Sequence, residues 1–554
     1  MVLGLGFCRD METMVTAKTK TMKLVWLIVV SVMAVVISQR FWMPSLEFSH
    51  LWRTVSYHGF TNNYGRNNDK FINGLLPPGF DQKSCLSRYQ LNLIRKPSPH
   101  KPSFPLLSKL RRYEALHRRC GPNSPSFRQA IVRLTSPTNS TAPSDDCKYI
   151  VILTRDGLGN RILSILSAFF YALISNRVIL INRGNTLEDL FCEPFLESSW
   201  LLPSDFPLRD KFGSFRQSFP ESFGNILRNG MRKETIEDSP PPYLYLHLSH
   251  DAGDYDKLFY CDRQQNLLKK VPWLIMETNN YLVPAIFLVS SFRQELNELF
   301  PAKDTVFHHL GRYLFHPKND VWGLILRSYK PYVARANEMV GIQIRIFGSE
   351  SGSIQDQMKQ ILACTQKKKL LPETELSSAE KADSSTSQKV KVVLVTSLNS
   401  QYSETLKEMY WEHPTVDGEM VAVYQPSHEG VQSSDSRIHN RKALAEMYLL
   451  SLSDVLVTSD WSTFGYVAQG LAGVKPWMLY KAEDKVFWAL QHWLKYKTSK
   501  EGGDDWPCRQ AVSMEPCLQV PPVCDCDEMK RMDGGKVLPY VIHCEDASWG
   551  LKLG

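Results

Sequence analysis

Arg345 closes an alternating run, Val340-Gly341-Ile342-Gln343-Ile344-Arg345-Ile346-Phe347. The aliphatic chains at 340, 342, 344 and 346 share one face, and Gln343 and Arg345 share the other. A strand of a parallel sheet is covered on both faces, so an arginine there needs an anionic partner. That partner is a carboxylate or a diphosphate, whose oxygens a guanidinium can grip bidentately. Further along, Thr396-Ser397, Tyr424-Gln425 and Thr458-Ser459 end three more strand-like runs. Beyond the last, Asp460-Trp461-Ser462-Thr463-Phe464-Gly465 opens a helical pattern. Hydroxyls before a helix N-terminus can bind an anion beside its free N–H groups. Plain N-capping is the structural alternative for Ser462 and Thr463. Their company at the other strand ends points to a phosphate site.

A second loop, Asp156-Gly157-Leu158-Gly159-Asn160-Arg161, follows the strand-like run Lys148–Thr154. It is similar to a dinucleotide loop, but Ile162 stands where the third glycine belongs, which disfavours NAD or FAD. Gly159, Asn160 and Arg161 are read instead as a diphosphate or sugar contact; a tight βα turn is the competing reading. Two carboxylate pairs have D-x-D spacing. Asp254-Tyr255-Asp256 follows the run Tyr243–Leu248, and Asp525-Cys526-Asp527 lies among tail cysteines. The first could serve a metal-dependent sugar transferase or a hydrolase. The motif is short and recurs by chance, so metal binding is the minority reading. Near the C-terminus, His543-Cys544-Glu545-Asp546 offers a carboxylate that a disulfide at Cys544 could hold in a cleft.

The elements needed to position these groups are visible as alternation. Lys148–Thr154, a helical pattern with apolar residues at 162, 163, 165, 166, 169, 170, 173 and 174, and Arg177–Asn182 form one βαβ unit. Val340–Phe347, Val390–Ser397, Val421–Gln425, Asp454–Thr458 and Pro476–Tyr480 alternate with helical patterns. That is a doubly wound parallel sheet, with ligands outside the carboxyl ends of its strands. The expected fold class is α/β, with two Rossmann-like lobes facing one cleft.

The chain has 554 residues, 43% hydrophobic and 22% charged. This excludes a mostly disordered, collagen-like or coiled-coil protein, and the length implies several lobes. A net charge of +8 is mild over this length. It favours anionic ligands and does not indicate nucleic acid. Leu24–Ile37 is an apolar run bracketed by Lys23 and Arg40, with Trp26 and Trp42 at its ends. No small-residue cleavage site follows, so a retained anchor is expected rather than a signal peptide. Arg9, Lys18, Lys20 and Lys23 precede the span, which puts the N-terminus in the cytosol. Cys8 is then cytosolic and the other eleven cysteines are lumenal, where disulfides are the default. Eleven is odd, so at least one stays free or pairs between chains. The sequon Asn139-Ser140-Thr141 is a glycosylation candidate. The expected organisation is a cytosolic tail 1–23, anchor 24–43, stem 44–80, N-terminal acceptor-side lobe 81–335, C-terminal donor-binding lobe 336–505 and Cys-rich tail 506–554.

Together these stretches resemble the plant cell-wall fucosyltransferases, best known for fucosylating xyloglucan. The resemblance is carried by Asp156–Arg161, Asp189–Phe195, Phe307–Pro317, Gly341–Arg345, Tyr424–Gly430, Ser451–Gly470, Ser513–Cys517 and His543–Leu553. It implies a single-pass type II Golgi membrane enzyme with a variant two-lobe (GT-B-like) fold and a lumenal catalytic domain. It implies GDP-β-L-fucose as donor, inversion to an α-1,2-L-fucoside on a galactosyl hydroxyl, and no metal. The acceptor implied is xyloglucan, or else an arabinogalactan protein glycan or another wall glycan. A homodimer or a complex with other wall glycosyltransferases is a further expectation. Carried over, Arg345 meets the diphosphate, and Gly159, Asn160 and Arg161 approach the donor from the other lobe. Gln343, Thr396, Ser397, Tyr424, Ser462, Thr463 and Phe464 shape the nucleotide pocket. Asp546 sits near the reacting centre as first candidate base, Asp156 as second, and Asn279, Asn280 and His309 lie on the acceptor side. The family tends to show Thr-Asp-Asn-Tyr where this chain has Thr278-Asn279-Asn280-Tyr281. An asparagine cannot act as a general base, so a Golgi-anchored glycan-binding or scaffold protein is the non-enzymatic alternative.

Overall fold

The computed structural model describes residues 69–136, 147–184, 187–229, 240–346, 353–375, 389–479, 507–520, 538–547 and 549–554. The anchor, the tail before it, Asn139 and Asp525–Asp527 lie outside the described residues. Within the expected stem, Ile72, Leu75 and Leu76 are buried in the main hydrophobic core. Three buried aliphatic side chains make residues 69–80 part of the folded body.

Three helices precede the first sheet: α1 (Leu86–Ile94), α2 (Phe104–Cys120) and α3 (Pro125–Thr135). Ser103 and Ser124 cap α2 and α3 by accepting from Leu106 and Phe127 N–H, and proline follows within the first turn of each. The first sheet comprises β1 (Tyr149–Thr154), β2 (Val178–Ile181), β3 (Tyr243–His247) and β4 (Trp273–Thr278) in the order β2-β1-β4-β3. All its pairings are parallel, with Tyr149 in register with both Val178 and Trp273. The Tyr149 and Trp273 rings stack 4.0 Å apart, so the register is also fixed by side chains.

The second sheet comprises β5 (Glu338–Gln343), β6 (Val390–Thr396), β7 (Met420–Tyr424), β8 (Val455–Thr458), β9 (Trp477–Leu479) and β10 (Cys508–Gln510). Its order is β10-β9-β8-β5-β6-β7, parallel except for antiparallel β10. A small hairpin pairs β11 (Val541–His543) with β12 (Leu551–Leu553).

Helix α4 (Leu158–Ser175) follows β1 and is buried almost all round. Its composition would suit a membrane span, but a helix buried on all sides within a large protein reads the same way. It packs between the first sheet and α8 (Thr463–Ala472), which follows β8. The remaining helices needed here are α5 (Val306–Leu314), α6 (Ile354–Lys367), α7 (Arg437–Leu450) and α8 (Thr463–Ala472). Cys85–Cys192, Cys120–Cys147, Cys364–Cys508 and Cys517–Cys544 are disulfides, and Cys261 is disulfide-bonded as well. Every cysteine among the described residues is therefore oxidised, and Cys364–Cys508 ties β10 to α6.

Candidate functional site

In each sheet the chain reverses its direction of growth between two central strands. In the second sheet this happens between β5 and β8, and in the first between β1 and β4. Loops diverge at such switch points and leave a crevice at the carboxyl ends. A cavity of about 170 Å³ opens at the second switch point. Gln343 and Arg345 reach it from β5, Thr396 and Ser397 from β6, and Ser462, Thr463 and Phe464 from the start of α8. Gly159 and Asn160, from the start of α4, close it from the other sheet.

Two helix N-termini therefore converge on one cavity, and their approach is close. A Cβ on Gly159 would lie 2.6 Å from Thr463 Oγ1 and 2.8 Å from the Thr463 carbonyl carbon. The Thr463 hydroxyl donates to Asn160 Oδ1 at 2.6 Å. Ser462 accepts from Gly465 N–H, so it caps α8 while lining the cavity. Capping and cavity lining are thus combined at Ser462.

The Arg345 backbone N–H donates to Ser459 Oγ at 2.9 Å, and its guanidinium donates to Gln432 Oε1 at 2.7 Å. Gln343 Oε1 and Thr396 Oγ1 are buried without a protein partner, and both residues line the cavity. Buried polar atoms normally find partners, so these two invite a polar ligand. Helix α7 contributes His439, Asn440, Lys442 and Glu446 to the wall. Burial pushes the Glu446 carboxyl up to about 8, and it accepts from the Ser427 hydroxyl at 2.5 Å. Glu429 pairs with both Lys442 and His439, and those two contacts hold its carboxyl below the usual range.

Several expected residues stand elsewhere. Arg161 is 1% exposed; its Nε donates to the Asp156 carbonyl at 2.8 Å and its Nη2 to the Ser434 carbonyl at 3.0 Å. It joins the two sheets' loops and does not line the cavity. Tyr424 stacks on Tyr332 and donates to Ser328 at the far edge strand β7. Asp546 accepts from Trp461 N–H at 2.9 Å and from the Tyr466 hydroxyl, behind the start of α8. Trp461 holds φ 53°, a left-handed conformation unfavourable for its type, and Asp546 anchors it there. Glu545 accepts from Val512 N–H and pairs with Lys552. His309 is buried in α5, pushed down to about 3 by burial and by neighbouring Arg312 and His100.

At the first switch point, Asp156 and Asn279 meet. Asn279 Nδ2 lies 2.6 Å from Asp156 Oδ2 and 2.7 Å from His250 Nδ1. Its Oδ1 accepts from His250 N–H and from the Asn280 amide. The D-x-D carboxylates do not converge: Asp254 is exposed, while Asp256 is buried and accepts from Gly253 N–H.

Sequence reasoning missed the α7 wall. The signal was present: Glu446 interrupts the apolar stretch Ala443-Leu444-Ala445-Glu446-Met447-Tyr448-Leu449-Leu450. A carboxylate inside a buried helix face needs a reason. His439, Lys442, Ala443 and Glu446 follow helical spacing, which puts them on one side.

Two largely parallel α/β sheets, with a cavity at the second switch point closed by residues from the first, have the build of a two-lobed glycosyltransferase. The xyloglucan fucosyltransferase family description matches residues 47–527. An Arabidopsis thaliana relative, Galactoside 2-alpha-L-fucosyltransferase, is 51% identical over 495 residues, covering 89% of this chain and 85% of its own. A Pisum sativum protein of the same name is 50% identical over 486 residues, covering 88% and 82%. The solved structure of a mutant of Arabidopsis thaliana FUT1 in complex with GDP has 51% identity and a TM-score of 0.77, covering 88% of this chain and 100% of that one. The chain belongs to the xyloglucan fucosyltransferase family.

Proposed function

We propose that this protein transfers L-fucose from GDP-β-L-fucose, with inversion, to a galactosyl hydroxyl in α-1,2 linkage on a plant cell-wall glycan. Xyloglucan is the first acceptor in this reading, and an arabinogalactan protein glycan the second. The observation that carries it is the 51% identity across 89% of the chain with a Galactoside 2-alpha-L-fucosyltransferase. The GDP complex of the FUT1 neighbour supports a guanosine diphosphate donor.

In the transfer, the bond from fucose C1 to the GDP oxygen breaks while the acceptor oxygen bonds C1 from the opposite face. The acceptor proton leaves to a base or to water. Charge develops on the departing diphosphate, and groups aimed at that charge lower the barrier most. Arg345 and the N-terminus of α8 with Ser462 and Thr463 are suited to that task without a cation. Gln343 Oε1 and Thr396 Oγ1, lacking protein partners, suit donor contacts. Asp156 is the carboxylate nearer the cavity, since Gly157 to Asn160 line it. Its hydrogen bond to Asn279 supports an oriented base. Asp546, engaged by Trp461 and Tyr466, is read as a positioning residue for the α8 entrance.

The anchor reading makes this a single-pass type II Golgi protein with its catalytic body in the lumen. The oxidised cysteines support an oxidising compartment. The test is an acceptor screen with GDP-fucose against galactosylated xyloglucan, arabinogalactan and pectic fragments, with and without EDTA. Fucosylated product on galactosylated xyloglucan, unaffected by EDTA, is expected. No transfer to any of the three would overturn the reading. Transfer abolished by EDTA would overturn its metal-free form.

A further inference from the structure

A second cavity, with none of the donor cavity's lining residues, lies between α1, α5 and α7. It is small, about 10 Å³, which is room for roughly one water-sized particle. Its lining is unusual: three arginines, Arg88, Arg95 and Arg312, with His316, Asn92 and Tyr448 among apolar side chains. Arg88, Arg95 and Arg312 are 3%, 7% and 4% exposed. Arginine keeps its proton under all ordinary conditions, so three positive charges share one buried void.

The hydrogen bonds do not use these groups up. Arg312 donates to Asn92 Oδ1 at 2.8 Å and to His308 Nε2 at 3.1 Å, leaving its Nε without a partner. Arg95 donates to Ser451 Oγ at 3.0 Å, and its Nε is likewise unpartnered. Arg88 donates to the Glu193 carbonyl and stacks on Phe80. Two carboxylates act on the cluster from outside, Asp69 on Arg312 and Glu193 on Arg88, and neither lines the void. Asp69 accepts from Phe71 N–H and Glu193 from Ser199 and Trp200. Arg95 has no carboxylate among the charges acting on it.

His316 registers the resulting field. It is pushed down to about 3, first by burial and then by Arg88, with Arg95 and Arg312 adding to it. Like charges at this density in a low-dielectric interior repel strongly unless an anion sits among them.

We propose that this cavity is a structural anion site, which takes a single monatomic anion of chloride size among Arg88, Arg95 and Arg312. The unpartnered guanidinium nitrogens supply its donors, and a polyatomic anion such as sulfate or gluconate is too large for the void. Because α1, α5 and α7 all border the void, the anion clamps the N-terminal segment to both sheets' helices. It takes no part in donor binding.

The test is thermal unfolding of the purified full chain at constant ionic strength. Chloride or bromide replaces gluconate from 1 to 150 mM. The expected result is a Tm rise of about 1–4 °C with either halide, and none with sulfate. The Arg95→Met variant should lose the halide response and match or exceed the wild type's Tm in gluconate, since one uncompensated charge is gone. Equal Tm in halide and gluconate for the wild type would overturn the proposal, leaving water as the occupant. A halide response retained in Arg95→Met would also overturn it. Should Arg95→Met not fold, the wild-type halide series and bromide anomalous scattering at the cavity decide the matter.

Discussion

The Thr463 hydroxyl donates to the Asn160 side-chain oxygen at 2.6 Å, joining the first turns of α8 and α4 from opposite sheets. Gly159 permits the contact, because the two helix starts leave no room for a Cβ between them. This junction forms the floor of the candidate donor cavity, so it couples packing to chemistry.

Replacing Gly159 by alanine should therefore do more than fill space. The new methyl would meet Thr463 backbone and side chain below 3.0 Å, and overpacking of this kind costs about 1–3 kcal/mol. Gly159→Ala is expected to lower Tm and to cut fucosyl transfer at least tenfold. Wild-type kcat/KM for GDP-fucose in this variant would contradict the junction's role.

Arg345 is the cationic side chain that reaches the cavity from the end of β5, and Lys442 is the other cation in the wall. Arg345→Ala should lower kcat by about 10²–10³-fold, the usual loss when one donor to developing charge is removed. The Arg345 guanidinium donates to the exposed Gln432 at 2.7 Å, so the change in Tm should be small beside the loss of turnover. Undiminished turnover in a GDP-release assay would exclude the assignment.

Asn279 offers a cleaner test of the candidate base. Its amide donates to Asp156 Oδ2 at 2.6 Å. In Asn279→Asp two carboxylates would face each other at that distance, and one must hold a proton. The acid limb of the pH–rate profile should move to higher pH relative to wild type. An unchanged profile would mean that Asp156 does not titrate in the rate-limiting step.

Glu515 predicts a pH dependence of stability. It is fully buried, accepting from the Tyr281 hydroxyl at 2.6 Å and from Phe307 N–H at 2.7 Å, and burial pushes it up to about 8. Unfolded, it titrates near 4.5. Between these values the folded state holds the extra proton. Its contribution is complete below pH 4.5 and is lost as pH rises toward 8, by at most about 1.4 kcal/mol per pH unit. Glu515→Gln, which mimics the protonated acid, should flatten this part of the stability curve. Chemical denaturation at pH 5, 6.5 and 8 would measure it.

Much of this architecture was legible because burial leaves a plain mark on strands. Lys148–Thr154 is observed as Tyr149–Thr154, and Val390–Ser397 as Val390–Thr396. The run ending at Phe347 gives a strand only to Gln343, since the backbone beyond it turns to Ser459 and Thr396 for its hydrogen bonds. Strand β4 was not legible. Trp273–Thr278 follows a proline and lacks the β-branched alternation of its neighbours. Yet it is central to the first sheet and delivers Asn279. The residues that line the cavity from β5, β6 and α8 were readable because strand ends and helix starts have local signatures. Arg161 and Asp546 stand outside the cavity lining for a different reason. A charged group beside a cleft reads the same whether it faces a ligand or braces a loop, and only tertiary contacts such as Arg161 to Ser434 and Asp546 to Trp461 distinguish the two.

The braces have a kinetic meaning. Asn160 to Thr463, Arg161 to Ser434 and Tyr281 to Glu515 tie the α4 side of the protein to the second sheet's loops and to the C-terminal segment. Three hydrogen bonds along the base, each worth about 1 kcal/mol net, oppose a clamshell opening between turnovers. On the proposed function, a crevice held in this way favours donor entry and nucleotide exit through its mouth. A long acceptor polysaccharide lying across that mouth would hold the nucleotide in until the glycan slides on. Turnover on polymers should then be paced by glycan departure, and short oligosaccharide acceptors should turn over faster.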